Sequence, residues 1–349
     1  MTAVASSPVA SRTATISPAP SAADGMWSGP LFVVGMPRSG TKLLRGLLTQ
    51  HSRIRIPDIE TDFFPFLVRH VLEHGAPASD AEFAQLFEAL RNATYFTFRA
   101  ARNPPFSWQA WRRECGGRYD AAGLFEGFIR YETGCTRASG CVWGDKSPSY
   151  VRYGDLLLEH FPQARVVHIV RDVRDYCISV NKAWGKNLRR AAHEWARDVA
   201  RAHRLCRSHA DRCIEVSYED LLQTPEAVMQ RLTTFLDVEP ATDSMVHLAL
   251  PVEEHGDAAG RTEIMRDNFS KFADRLTPRR IRAIEALAYD TMQLVGYRPL
   301  YAARQKHLGV FEQRVLRLKD GASLLAHGAR KDGLASAVRF HLSHARLVR

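Results

Sequence analysis

The chain has 349 residues, 45% of them hydrophobic and 25% charged, and carries a formal charge of +10. That composition excludes a chain disordered throughout, and the length allows one large domain or two modest ones. The positive excess calls for an anionic partner, but from Tyr301 to Arg349 ten Lys/Arg face three Asp/Glu, a local net of +7, so the charge is not spread over a fold-wide basic face and nucleic acid is disfavoured.

Residues 1–28 are rich in Ala, Ser, Thr and Pro and lack the apolar core of a secretory signal, so they read as a disordered leader. "PLFVVG" (30–35) is a short β-branched run closed by glycine, the pattern of a buried parallel strand. "TKLLRGLLTQH" (41–51) places Leu43, Leu44, Leu47 and Leu48 on one helical face. "RIRIP" (53–57) reads as a second strand. Residues 66–130 turn helical and aromatic, with Phe83, Phe87, Tyr95, Phe96, Phe106, Trp108 and Trp111. They read as a helical insertion with its own core, and also as a lid on the acceptor side. Strands return at 141–144, 164–170 and 212–221, with helices at 194–209, 224–238 and 277–297. The last helix has Thr277 as its cap, Pro278 at its first position and Gly296 at its end. Alternating strands and helices predict an α/β fold, a three-layer parallel sheet flanked by helices. The main domain spans 29–300, and 301–349 reads as a basic helical extension.

Six cysteines show no C-x-x-C, and no Cys/His group has zinc spacing, which points to a reduced, cytoplasmic setting. His51, His168 and His193 have no partner visible in sequence and read as structural. No run approaches roughly eighteen apolar residues, so no membrane span is expected. The basic tail interleaves Leu, Val and Phe with Arg, Lys and His, and reads either as a solvated helix or as a peripheral contact for an anionic membrane.

The chemistry gathers in "GMPRSGTK" (35–42). A glycine loop between strand and helix directs backbone N–H groups at an anion, reinforced by the helix dipole. A triphosphate P-loop would read G-x-x-x-x-G-K-[ST]. Here Thr41 and Lys42 are exchanged, which rotates the two side chains by about 100° and breaks the magnesium site. The loop carries Arg38 instead. A P-loop kinase or NTPase, with Asp172 as its metal carboxylate, is therefore the weaker reading, and a basic membrane-surface module without catalysis is a third.

"PRSGTKLLRGLL" resembles the 5′-phosphosulfate loop of sulfotransferases that use 3′-phosphoadenosine 5′-phosphosulfate (PAPS). "RDVRDYCISV" (171–180) is similar to that family's 3′-phosphate signature, with Val173 in place of the usual proline. "PDIETDFF" (57–64), "WGDKSPSYV" (143–151) and "VSYEDLLQTPEAVMQRLTTFLDV" (216–238) resemble three further family segments in the expected order. The resemblance covers about 30–300. It implies a P-loop-like fold and in-line sulfuryl transfer that requires no metal, with PAPS as donor. Arg38, Ser39, Gly40, Thr41 and Lys146 would serve the 5′-phosphate and bridging oxygen, and Arg171 and Ser179 the 3′-phosphate. Tyr218 would lie near the adenine, and Lys271 would stand in for a late family cation, followed by Phe272. Glu60 would be the general base, with Asp58 its rival because the spacing from His51 is one residue longer than usual. Lys42 departs from the family's threonine and either joins the phosphate site or faces solvent. The segment around Glu60 is nearest to members acting on carbohydrates, glycolipids or tyrosyl peptides, and the Ala- and Arg-rich composition tilts the expected acceptor toward a glycan or lipid-linked hydroxyl.

Overall fold

The computed structural model describes residues 27–91, 93–100, 105–240, 242–253 and 257–332. Most of the expected leader and the tail beyond 332 lie outside these residues. Trp27 and Ser28, assigned to the leader from sequence, pack on the fold. The Trp27 ring lies under the Arg165 guanidinium, 4.4 Å from its centroid, and its indole N–H donates to the Gln163 carbonyl at 2.9 Å.

Five parallel strands form one sheet in the order β2-β3-β1-β4-β5: β1 Leu31–Gly35, β2 Ile54–Arg55, β3 Val142–Lys146, β4 Arg165–Val170 and β5 Cys213–Ser217. All five lie where the sequence places them. β3 runs two residues past its expected end, so Asp145 and Lys146 belong to the strand and are fully buried. Parallel strands covered on both faces bury successive side chains into different layers. Phe32 and Val34 enter one core, and Leu31 and Val33 enter the other.

The second core is closed by α1 Thr41–Leu48, α10 Tyr218–Gln223 and α11 Pro225–Phe235. The first is closed by α6 Ala121–Thr133, α8 Val173–Trp184, α9 Leu188–Ser208 and α13 Pro278–Leu294. The expected cap holds at α13, where Thr277 Oγ accepts from the Arg280 N–H at 3.4 Å. Between β2 and β3 lie α2 Phe64–His74, α3 Asp80–Leu90, α4 Thr94–Arg99, α5 Trp108–Glu114 and then α6. This aromatic insertion does not have a core of its own. Phe63 and Phe128 meet edge to face at 4.8 Å, Phe64 and Phe125 at 5.1 Å, and Phe125 reaches Phe32 of β1 at 6.3 Å. The insertion and one face of the sheet therefore share one continuous hydrophobic cluster.

Two short helices complete the chain with α13: α7 Gly154–His160 and α12 Phe272–Arg275. After them, α14 Val310–Asp332 opens the expected extension. Its Asp320 is 2% exposed and accepts from the Asn187 N–H at 2.8 Å and Arg190 at 2.7 Å, which fastens α14 to the start of α9. No helix among the described residues is long and apolar enough to cross a membrane. Cys135 and Cys141 are joined as a disulfide, a departure from the all-reduced set expected from spacing; Cys115, Cys177, Cys206 and Cys213 are thiols.

Candidate active site

The central strand β1 has β3 on one side and β4 on the other, so the loops leaving all three converge at one end of the sheet. This is the switch point where open α/β sheets bind ligands. The first loop turns tightly. Arg38 and Gly40 both sit in the left-handed region, at φ 68° and 93°. Gly40 is the N-cap of α1, and a Cβ there would run into the Tyr218 ring. The first N–H groups of α1 have no partner within the helix and face this loop. No acidic residue stands in the first turn to compete for them.

A cleft opens in front of the loop. It is lined by Arg38, Gly40, Arg171, Ser179, Tyr218 and Lys271, six of the residues singled out from sequence. Arg38 Nε reaches Ser179 Oγ at 3.4 Å, and Arg171 donates to the Arg38 carbonyl at 3.1 Å. The Arg171 guanidinium lies 4.5 Å from the Tyr218 ring centroid, and the Tyr218 hydroxyl accepts from Asn268 at 2.9 Å. Arg171 Nε and Ser39 Oγ are buried without a hydrogen-bond partner among the described residues. These are the donors that a bound anion would satisfy. Thr41 is buried in α1, while Lys42 is half-buried and is not among the cleft-lining side chains.

The "RDVRD" run divides into two jobs. Arg171 bonds backbone carbonyls at the cleft rather than its neighbouring aspartates. Asp172 caps α8 through the Arg174 N–H at 2.8 Å, and Arg174 binds Asp172 at 2.5 Å and the fully buried Glu285 at 2.9 Å. Asp172 is thus committed to a buried ion pair, which leaves the NTPase reading without its metal carboxylate. Phe272 is likewise structural: its ring lies 3.9 Å from the Arg174 guanidinium, outside the cleft lining.

At the end of β3, where Lys146 is in register with Val33 of β1, the Lys146 ammonium contacts Glu60 Oε1 at 2.6 Å; the lysine side chain is 0% exposed and the glutamate 34%, and neither residue is among those lining the cleft. The segments carrying the two residues are stitched together. Ser147 Oγ accepts from the Thr61 N–H at 3.0 Å, and the Tyr150 hydroxyl bonds Thr61 Oγ1 and the Phe64 N–H, each at 2.9 Å. Asp58 is exposed on the same segment. Asp62, at φ 56°, accepts from Ser149 at 2.5 Å. Burial and then the nearby Glu60 carboxylate push Asp62 up to about 6. Burial pushes Asp145 to about 7.

Several cleft residues carry no local sequence signal. Glu253 pairs with Arg38 at 3.2 Å, Asn268 touches Arg171 and Tyr218, and Asp257 binds Lys182 at 3.0 Å and Lys271 at 2.5 Å. All come from the irregular segment before α12, where neither periodicity nor a motif marks a position. Lys271 thus lines the cleft while held by Asp257 and Asn268.

A parallel sheet with an anion cradle at the ends of its central strands defines a nucleotide-phosphate-binding α/β protein. The chain belongs to the sulfotransferase family, whose model matches residues 30–243. It is 25% identical over 228 residues to the protein-tyrosine sulfotransferase of Drosophila melanogaster, covering 62% of this chain and 39% of that protein. Protein-tyrosine sulfotransferase A of Caenorhabditis elegans is also 25% identical over 228 residues, with 52% of its length covered. The chain thus spans about half or less of these relatives. The sulfotransferase domain from the curacin biosynthetic pathway shares the fold, with a TM-score of 0.53 at 18% identity over 79% of this chain and 100% of that one.

Proposed function

We propose that this protein transfers the sulfuryl group of PAPS to the hydroxyl of a tyrosyl side chain in a protein. The carrying observation is that the Arg38–Arg171 cradle, which follows β1 and β4, and the Lys146–Glu60 pair, with Lys146 at the end of β3 in register with Val33 of β1, lie at the same end of the sheet. The tyrosyl acceptor, in place of the glycan or glycolipid expected from sequence, is supported by the protein-tyrosine sulfotransferases to which the chain is similar.

Sulfuryl transfer resembles phosphoryl transfer in its loose, in-line transition state, so positioning and preorganised charge carry most of the work. The N-terminus of α1 with Ser39, Gly40 and Thr41 receives the 5′-phosphate, and Arg38 meets the charge that develops there. Arg171 and Ser179 hold the 3′-phosphate. That group separates PAPS from ATP. Tyr218 packs beside the base, and Lys271 closes the rim. Glu60 takes the proton of the attacking hydroxyl. Lys146 then turns from Glu60 to the bridging oxygen as the bond to sulfur breaks.

Binding and turnover test this reading. Adenosine 3′,5′-bisphosphate should raise Tm where ATP with magnesium does not; the reverse pattern would overturn it. With radiosulfur-labelled donor, tyrosine-containing peptides should accept label where polysaccharide and glycolipid extracts do not. Label appearing only in the extracts would refute the tyrosyl acceptor and leave the donor reading standing.

A further inference from the structure

A second cluster of chemically active side chains lies under the far edge of the sheet, away from the cleft. His168 on β4 and Glu215 on β5 are register partners and project to the same face. His168 Nδ1 and Glu215 Oε2 are 3.0 Å apart. From above, α9 contributes His203 and Cys206, one turn apart on one helical face. His203 Nδ1 lies 3.1 Å from Glu215 Oε1. A ring nitrogen of His168, Cys206 Sγ and a Glu215 oxygen all lie within 4.8 Å of one another. Cys213, the first residue of β5, adds a second thiol hydrogen-bonded to Cys206.

We propose that His168, His203, Cys206 and Glu215 form a binding site for one divalent metal ion of borderline softness, zinc(II) foremost, which pins α9 to the β4–β5 edge of the sheet.

Imidazole nitrogen, thiolate sulfur and carboxylate oxygen are the donor set of tetrahedral zinc, whereas magnesium and calcium select all-oxygen sites. Bonds of about 2.0–2.3 Å give tetrahedral edges of about 3.3–3.8 Å. The two nitrogen–oxygen contacts are slightly shorter than that range, at 3.0 and 3.1 Å, so a bound ion would spread them by about 0.2–0.3 Å, and the outer limit of 4.8 Å closes with about 1 Å of side-chain rotation. His168 is fully buried and Cys206 is 8% exposed. The Glu215 and His203 side chains keep 25% and 14% exposure, which leaves an entry from the sheet edge.

In this arrangement Nδ1 of each histidine is the ligand atom, and both already face the Glu215 carboxylate. Sequence spacing hides the group because its members come from three elements, with Glu215 47 residues from His168.

Full-length, tag-free, reduced protein should be stripped with chelator, dialysed and titrated with cobalt(II), whose spectrum reports geometry and thiolate ligation. One cobalt per chain is expected, with tetrahedral ligand-field bands and a sulfur-to-metal charge-transfer band. Zinc should displace it and raise Tm by about 5 °C. Cys206→Ser should lose the charge-transfer band, and His203→Ala should weaken cobalt binding at least tenfold while remaining folded by circular dichroism. Cobalt that stays octahedral, a Tm unmoved by zinc, or binding unchanged in both variants would overturn the proposal. None of these readouts depends on turnover.

Discussion

Lys146 reaches the site from inside a strand, fully buried, and its ammonium contacts the half-exposed Glu60. A buried cation without an opposite charge is costly, so the pair is a stabilising contact in the resting protein, to which the proposed mechanism adds a catalytic role in turnover. Glu60→Gln should lower kcat by about 10²–10⁴ with little change in bisphosphate affinity, measured by single-turnover transfer and by calorimetry. Asp58→Asn, on the exposed neighbour, should leave kcat close to wild type. Asp62 bears on stability. Its folded pKa is raised from 3.8 to about 6, so the fold favours the protonated form. Its stabilising contribution is complete below 3.8 and is lost as pH rises through about 6. Asp62→Asn, whose amide oxygen can still accept from Ser149, should therefore raise Tm relative to wild type above that window and not below it. Equal Tm differences on both sides would refute the argument.

At the level of elements, two helix starts do most of the site-building. At α1, Gly40 combines φ 93° with a Cβ direction blocked by Tyr218. Gly40→Ala should therefore displace the loop or the ring, and bisphosphate affinity should fall at least tenfold by titration calorimetry. At α8, the two arginines of "RDVRD" should separate cleanly. Arg174→Ala leaves Asp172 and Glu285 buried without their cation and should cost about 3–5 kcal/mol in denaturant unfolding. Arg171→Ala removes bonds to two backbone carbonyls. It should weaken bisphosphate binding far more than it weakens the fold. The cap of α13 and the leucine face of α1 were legible because they are local. The division of labour between Arg171 and Arg174 was not, because Glu285 lies 111 residues from Arg174.

Across the whole molecule, the aromatic insertion and one face of the sheet form a single core. Phe128 sits at its centre, against Phe63, Tyr95, Phe106 and Trp111. Phe128→Ala should cost about 3–5 kcal/mol. Insertion and sheet should still unfold in one transition, followed in parallel by circular dichroism and tryptophan fluorescence. Two separated transitions would mean that the insertion folds as an independent unit. The continuity was hidden in sequence because an aromatic-rich helical stretch shows how much apolar surface it carries but not which partner covers it.

The order of strands and helices, the glycine loop before α1 and the family could all be read along the chain, because each rests on local periodicity, turn chemistry or short motifs. So could Arg38, Arg171, Ser179, Tyr218 and Lys271 as residues of one cleft. Three-dimensional packing alone set Glu60 on Lys146, 86 residues away, and left Asp58 exposed. It alone brought Glu253 to Arg38 and assembled His168, Cys206 and Glu215. The physical reason is the same in each case: an ion pair or a ligand set is a contact between side chains, and sequence separation carries no record of it until the sheet and its helices have closed.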